Sequence, residues 1–332
     1  MYFCRVSLKT KDIFSITNTD EFNAHALEIF KLQAKNCQVY CEYIHHLKID
    51  VDQINDFHQI PFLPIVFFKT HRILSNDKPV EITFSSSGTT GMVQSSHHVT
   101  DVKLYEQSYL QAFDQFYGPV SNYCFLALLP SYQQRSGSSL IYMVNDLIEK
   151  SKHPQSGYFL YNHDDLFQTL NNLKEKKQPT VLIGVTYALL DFIEQYDIDF
   201  PELIVMETGG MKGRRKEMVR EELHDQLTKG FGVSAIHSEY GMTELLSQAY
   251  SLGNGIFNCP DWMKVLIRDT NDPLTLIQNG KTGGINVIDL ANINSCSFIA
   301  TQDLGRINPD GSFEVLGRFD HADIRGCNLL VQ

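Results

Sequence analysis

Val80-Glu-Ile-Thr-Phe-Ser-Ser-Ser-Gly-Thr-Thr-Gly91 passes from a β-prone run into a turn made almost wholly of hydroxyls and glycines. Val80 to Phe84 reads as a strand, and Ser85 to Gly91 supplies five hydroxyls and two glycines in seven residues. Glycine lets a backbone approach a ligand closely, and successive amides form an anion-binding concavity. Ser86, Ser87, Gly88, Thr89, Thr90 and Gly91 are therefore candidate phosphate ligands. The turn is not a Walker loop, because no Gly-Lys-Ser/Thr follows. The same composition also suits a flexible polar loop.

Two further stretches extend this reading. Val233 to His237 reads as another strand, followed by Ser238-Glu239-Tyr240-Gly241-Met242-Thr243-Glu244. Tyr240 can stack on a base, Thr243 can donate to a phosphate, and Glu244 can hold Mg2+, a hard cation that takes carboxylate and phosphate oxygens. Upstream, Thr208-Gly209-Gly210-Met211 follows a strand end, where two glycines let a flat ring lie against the backbone. Asp303 suits the two hydroxyls of a ribose, and Arg318 can bridge ribose and phosphate. Each has a plain alternative: a strand-to-helix turn with a buried tyrosine, a turn aspartate, a surface ion pair. Ligands of open α/β sheets lie outside the carboxyl ends of strands, so loops at three strand ends can converge.

The chain has 332 residues, 43% of them hydrophobic and 20% charged, enough for one large domain or two smaller ones. A formal charge of −11 argues against general nucleic-acid binding. Seven scattered cysteines argue against a disulfide framework and for a reducing cytoplasm. The first residues show no signal-peptide pattern, and no run approaches the roughly 20 apolar residues of a membrane helix.

Asn18-Thr-Asp20 is expected to cap one helix running towards residue 46, with Phe22, Ala26, Ile29, Phe30, Gln33, Cys37, Tyr40, Cys41 and Ile44 on one face. Pro61 to Lys69, with two prolines, reads as extended. Strands at 123–129, 180–185, 203–207 and 233–237 alternate with helices at 101–117, 137–150, 163–177, 186–196 and 213–229. Beyond 255, short strands at 263–268, 284–290, 297–301 and 312–316 suggest a β-rich, barrel-like subdomain. Cys37, Cys41 and His45 have helical spacing that admits zinc, but continuing the apolar face is the stronger reading. His97 and His98 read as exposed polar residues beside the first loop, with lining of an acid pocket as the alternative.

With these motifs the chain resembles the adenylate-forming superfamily of acyl- and aryl-CoA ligases, peptide-synthetase adenylation domains and luciferases. Within it the chain is most similar to the acyl-protein synthetase (LuxE-type) family. Phe30-Lys-Leu-Gln33, Pro61 to Lys69, Leu129-Pro-Ser-Tyr132 with Gly137-Ser-Ser139, and Thr208-Gly-Gly-Met-Lys-Gly213 carry the resemblance over nearly the whole chain. It implies an α/β fold of mixed sheets flanked by helices. One adenylate-forming domain would span 1–332: an α/β part at 1–254, the β-rich part at 255–317 and a hinge-like tail at 318–332, with the usual C-terminal lid absent. It implies ATP and Mg2+, and a carboxylic acid, fatty by analogy, activated as an acyl-adenylate. Ser86 to Gly91 would embrace the phosphates. Tyr240 would lie on adenine, with Gly209, Gly210, Met211, Glu239 and Gly241 also binding the nucleotide. Thr243 would touch phosphate, Glu244 Mg2+, Asp303 the ribose, and Arg318 would lie nearby.

Two departures matter. Met92-Val-Gln-Ser95 replaces the superfamily's Pro-Lys-Gly, and no lysine follows Lys281. Lys212, Arg214, Arg135 or a partner subunit would have to supply the missing charge, so slow unaided adenylation is expected. In the family the acyl group is carried on a cysteine near the C-terminus, and Cys327 is the matching position; an inert terminal cysteine is its alternative. Arg325 beside it would favour the thiolate nucleophile. The expected activity is acyl activation followed by transfer to Cys327 and on to an acyl reductase or acyl-carrier partner. A CoA ligase or a non-catalytic nucleotide-binding subunit are the rival expectations.

Overall fold

The computed structural model describes residues 12–86, 93–131, 133–209 and 218–319. The first helix starts where its cap predicts. Helix α1 (Thr19–Asn36) opens with the Asn18 side chain accepting from the Glu21 N–H at 2.9 Å, while the Glu21 carboxylate accepts from the Thr17 N–H at 2.8 Å. It does not run on to residue 46. Cys37 adopts extended dihedrals (φ −88°, ψ 101°), and a second helix, α2 (Gln38–His46), turns away. Cys41 apart, the expected face is buried, including the polar Gln33. Its amide donates to the carbonyls of Asn292 and Ile293 at 3.1 and 3.0 Å and accepts from the Ser297 N–H at 2.9 Å. Gln33 thus binds α1 to a segment 264 positions away. Cys37 is buried and Cys41 exposed, so the two thiols do not share one environment.

The proline-bounded segment is extended only at its start. Strand β1 (Leu63–Pro64) pairs in parallel with a late strand, and a single helical turn, α3 (Phe67–Thr70), follows once the prolines are past. Strands β2 (Ile82–Ser85) and β3 (Ser96–Val99) form a separate antiparallel hairpin. Then come α4 (Val102–Tyr117), β4 (Cys124–Leu128), α5 (Ser139–Ser151), β5 (Gly157–Tyr158) and α6 (His163–Glu175). They are followed by β6 (Thr180–Gly184), α7 (Thr186–Ile193), β7 (Ile204–Glu207), α8 (Arg220–Phe231) and β8 (His237–Tyr240). Strands β4 and β6 are buried at every position, as a parallel sheet covered on both faces requires. Helices α7 and α8 approach closely because Gly230 leaves room: a Cβ there would lie 2.6 Å from Ile193 Cβ.

The second half continues the same sheet. Strands β9 (Ala249–Ser251), β10 (Ile256–Asn258), β11 (Met263–Arg268), β12 (Gly283–Asp289), β13 (Phe298–Ile307) and β14 (Phe313–Arg318) are antiparallel additions. The strand order is β11-β12-β13-β14-β10-β9-β8-β7-β6-β4-β5, with β1 beside β13. The β-rich part at 255–317 is therefore hydrogen-bonded into the α/β part, and among the described residues β11 pairs with β12 alone among the strands. Among the described residues no helix is long and apolar enough to cross a membrane.

The junction between these halves rests on a buried carboxylate. Asp289 is fully buried at the end of β12. Its Oδ2 accepts from the N–H groups of Leu246 and Ser247 at 2.7 and 3.0 Å. Its Oδ1 accepts from Ser247 Oγ and the Ala291 N–H at 2.5 and 3.1 Å. Trp262 Nε1 donates to Ser247 Oγ at 2.9 Å, and Ser247 meets Ser108 of α4 at 3.0 Å. Asp289→Ala would strand three buried N–H groups and should cost roughly 3–5 kcal/mol. The check is a urea midpoint, with Asp289→Asn falling between the variant and the wild type; an unchanged midpoint would refute the assignment.

Candidate active site

A cleft of about 1680 Å³ opens at the carboxyl ends of β4, β6, β7 and β8. Ser86, Thr208, Gly209, Tyr240, Thr243, Glu244, Asp303 and Arg318 all line it, so residues more than 200 positions apart meet as their order implied. Ser87, Gly88, Thr89, Thr90, Gly91, Gly210, Met211, Lys212, Arg214 and Cys327 lie outside the described residues. Arg135, a candidate for the missing charge, also lines the cleft.

The Ser238–Glu244 motif is not wholly a loop. Its strand begins four residues later than expected, because Gly232 in the left-handed region (φ +66°) ends α8 and Val233 N–H still bonds back to Thr228. β8 then carries Glu239 and Tyr240 as ladder residues, opposite Tyr250 and Ala249 of β9. Alternation sends them to opposite faces. On one face His237 meets Tyr117 of α4, and Tyr250, paired with Glu239, packs on Phe116 and Tyr117. On the other, Tyr240 packs edge-on against Phe257 and Phe313, with ring centroids 5.9 and 5.5 Å away. The cleft thus straddles the end of the sheet.

Tyr240 Oη donates to Asp303 Oδ2 at 2.9 Å. Asp303 lies inside β13, directly opposite Arg318 on β14, rather than in a turn. Arg318 Nε stands 3.3 Å from Asp303 Oδ1, but its side chain is 69% exposed, so the pair adds little stability. Burial pushes the Asp303 carboxyl up, against the opposing pull of Tyr240, Arg318 and Arg268. Tyr240, buried between Phe257 and Phe313, thus fixes one Asp303 oxygen, while the exposed Arg318 stands near the other at the cleft.

Glu239 accepts from Thr208 Oγ1 at 2.9 Å. Burial raises it to about 7, reinforced by the nearby Glu207 charge and opposed by Thr208. Gly241 leaves room for it: a Cβ there would lie 2.3 Å from Glu239 Oε1 and would push the carboxylate aside. Glu207 accepts from Ser238 and Thr186 at 3.0 and 3.1 Å, with Arg220 Nη1 and His224 Nε2 each 3.8 Å away. Burial pushes Glu207 up, yet His224, Arg220 and Ser238 outweigh it and hold it below the ordinary range. Glu244 is 5% exposed and burial pushes its carboxyl up, with Ser95 opposing. Thr243 is held by its carbonyl, which lies 2.8 Å from His97 Nδ1.

His97 was expected at the surface and is buried instead, because its ring bridges Thr243 and Asn292. Thr186, Glu207, Arg220, Gln248 and Asn292 carried no signal in the sequence; they lie outside the motifs, and only the fold brings them near. Among the described residues no group of three or more His, Cys, Asp or Glu is placed to hold a metal by itself.

Known proteins share this architecture. A 2-hydroxyisobutyryl-CoA ligase, solved in an open conformation with 2-HIB-AMP and CoA, superposes over 91% of this chain and 75% of its own, with a TM-score of 0.66 at 10% identity. ATP-bound MatB from Rhodopseudomonas palustris matches 72% of this chain and 48% of its own, with a TM-score of 0.54 at 16% identity. These likenesses show the fold. A long-chain-fatty-acid–luciferin-component ligase of Photorhabdus luminescens is 40% identical over 67 residues, 20% of this chain and 57% of that relative. The chain thus spans less than two thirds of that relative and about half of MatB. A family model described as acyl-protein synthetase, LuxE, matches residues 14–332, and the chain belongs to that family.

Proposed function

We propose that this chain activates a carboxylic acid with ATP, releasing pyrophosphate, and then transfers the acyl group from the acyl-adenylate to a thiol. The observation that carries this reading is the convergence of Tyr240, Asp303, Arg318, Gly209 and Ser86 on one cleft. Gly209, in the left-handed region at φ +61°, and the Tyr240 ring flank the space for the base. Asp303 accepts from the ribose hydroxyls, and Thr243 and Ser86 donate to phosphate oxygens. The other lobe, with Tyr105, Leu129, Ile141 and Met143, is apolar enough for a fatty or aryl chain.

In the first step a carboxylate oxygen attacks the α-phosphorus and pyrophosphate leaves. The protein contributes mainly by holding the two anions in line, with hydroxyl and cationic groups on the phosphates. Glu244 would hold Mg2+: it is a buried carboxylate at the cleft wall, and this ion uses one or two carboxylates plus phosphate oxygens. When bound, Mg2+ neutralises phosphate charge. In the second step a thiolate attacks the acyl carbonyl and AMP departs; Cys327 is the proposed acceptor, with an acyl reductase or carrier partner receiving the acyl group from it.

Intact mass after incubation with ATP, Mg2+ and a panel of fatty and aryl acids tests the whole reading. A hydroxylamine-labile adduct on Cys327 is expected, and acyl-CoA formed without any protein adduct would reject thiol transfer to the chain. Cys327→Ser should keep pyrophosphate exchange and lose the adduct. Glu244→Gln should reduce Mg2+-dependent exchange by roughly 100-fold while AMP affinity changes little; equal losses would remove Glu244 from the metal. Glu239 gives a third check. Its folded-state pKa lies above its unfolded value, so the native chain holds more protons between about pH 4.5 and 7 and stability falls as pH rises through that window. Thermal midpoints of Glu239→Gln should lack this component of the decline; identical pH profiles would contradict it.

A further inference from the structure

His97 faces two acceptors and has protons for one. Its ring is 1% exposed, with Phe68 set edge-on to it at 5.7 Å and 89°. Nδ1 lies 2.8 Å from the Thr243 carbonyl oxygen, and Nε2 lies 3.0 Å from Asn292 Oδ1. The Asn292 amide cannot be reversed to help. Its nitrogen already donates to the carbonyls of Glu244 and Cys296 at 2.7 and 3.0 Å, and an inverted amide would set oxygen against both. A neutral imidazole has one N–H. Burial pushes this ring down to about 4, against the pull of Thr243 and Asn292, so it is neutral in the working range. One contact is therefore a hydrogen bond and the other is not, and the shorter belongs to Thr243.

Two residues before His97 on the same run of chain, Ser95 donates its N–H to Ser86 Oγ at 2.9 Å and opposes the upward push on Glu244 through its side chain. The β2–β3 hairpin thus touches the Thr243–Glu244 corner twice, through Ser95 and through the imidazole. We propose that His97, as its Nδ1–H tautomer, is a positioning residue that fixes the Thr243–Glu244 corner against the hairpin bearing Ser86. Its part in adenylation rests on the reading given above; the tautomer and the fixed corner do not.

The two ring nitrogens can be replaced separately. The amide of asparagine falls near Nδ1, and that of glutamine near Nε2. His97→Asn should still hold the Thr243 carbonyl, whereas His97→Gln should lose it and bond Asn292. Both variants should lower the urea midpoint by similar amounts. The kcat of pyrophosphate exchange should fall roughly tenfold or more further in His97→Gln, since misplacing reacting groups by about 1 Å can cost on the order of 100-fold. Equal kcat in the two variants, or kcat that follows the folded fraction alone, would overturn the proposal. In the wild-type chain, 15N shifts of the His97 ring should report protonated Nδ1; protonated Nε2 would overturn it independently of any activity. A wild-type chain that exchanges no pyrophosphate with any acid would sink the adenylation reading, and the fixed corner would then stand or fall on that 15N result.

Discussion

A carboxylate with no access to water is tolerable only when its oxygens are saturated with donors, and Asp289 meets that condition with four. The requirement fixes more than one side chain. Three donors come from Leu246 and Ser247, just after the β8 motif, and the fourth from Ala291, where β12 gives way to the turn holding Asn292. Removing any one would leave buried charge short of a partner, so the segment after the motif cannot drift from the antiparallel half of the sheet. Trp262 and Ser108 extend the same hold to β11 and α4.

The cleft inherits its geometry from that junction. Tyr240 ends the last parallel strand and Asp303 lies in the antiparallel part of the sheet, 63 positions on, yet they share a hydrogen bond, and Phe257 and Phe313 form the wall behind them. The polar and apolar lobes lie to either side of the sheet's end, with Glu239 at the boundary. The proposed pairing of an apolar acid with a polyanionic nucleotide would suit such a division, because each part would meet its own dielectric surroundings.

Most strands and helices of the α/β half were legible because their apolar periodicity is strong: β4, β6, β7 and α4 to α7 begin and end within a few residues of where pattern placed them. That Ser86, Gly209, Tyr240 and Asp303 would meet in one cleft was legible for another reason, namely that glycine, hydroxyl and carboxylate types have few structural uses in that order. What pattern could not supply was context. The break at Cys37 and the late start of β8 follow from local dihedrals and a cap. Pro64 joins a sheet only because β13 offers it an edge. Buried polar residues such as Gln33, His97 and Asn292 resemble surface residues by type, and each has a partner about 150 to 260 positions away.

That Glu239 and Tyr240 belong to a strand has a consequence for how the site can change. Along a β-ladder each single-residue insertion or deletion inverts every side chain beyond it. A deletion within β8 would turn the tyrosine towards α4 and the glutamate towards Phe257, dismantling both lobes at once. Substitution can adjust one lobe and spare the other; length changes in this strand cannot. Variation in chain length should instead gather at 269–282, in the exposed link between β11 and β12, where neither lobe receives a residue.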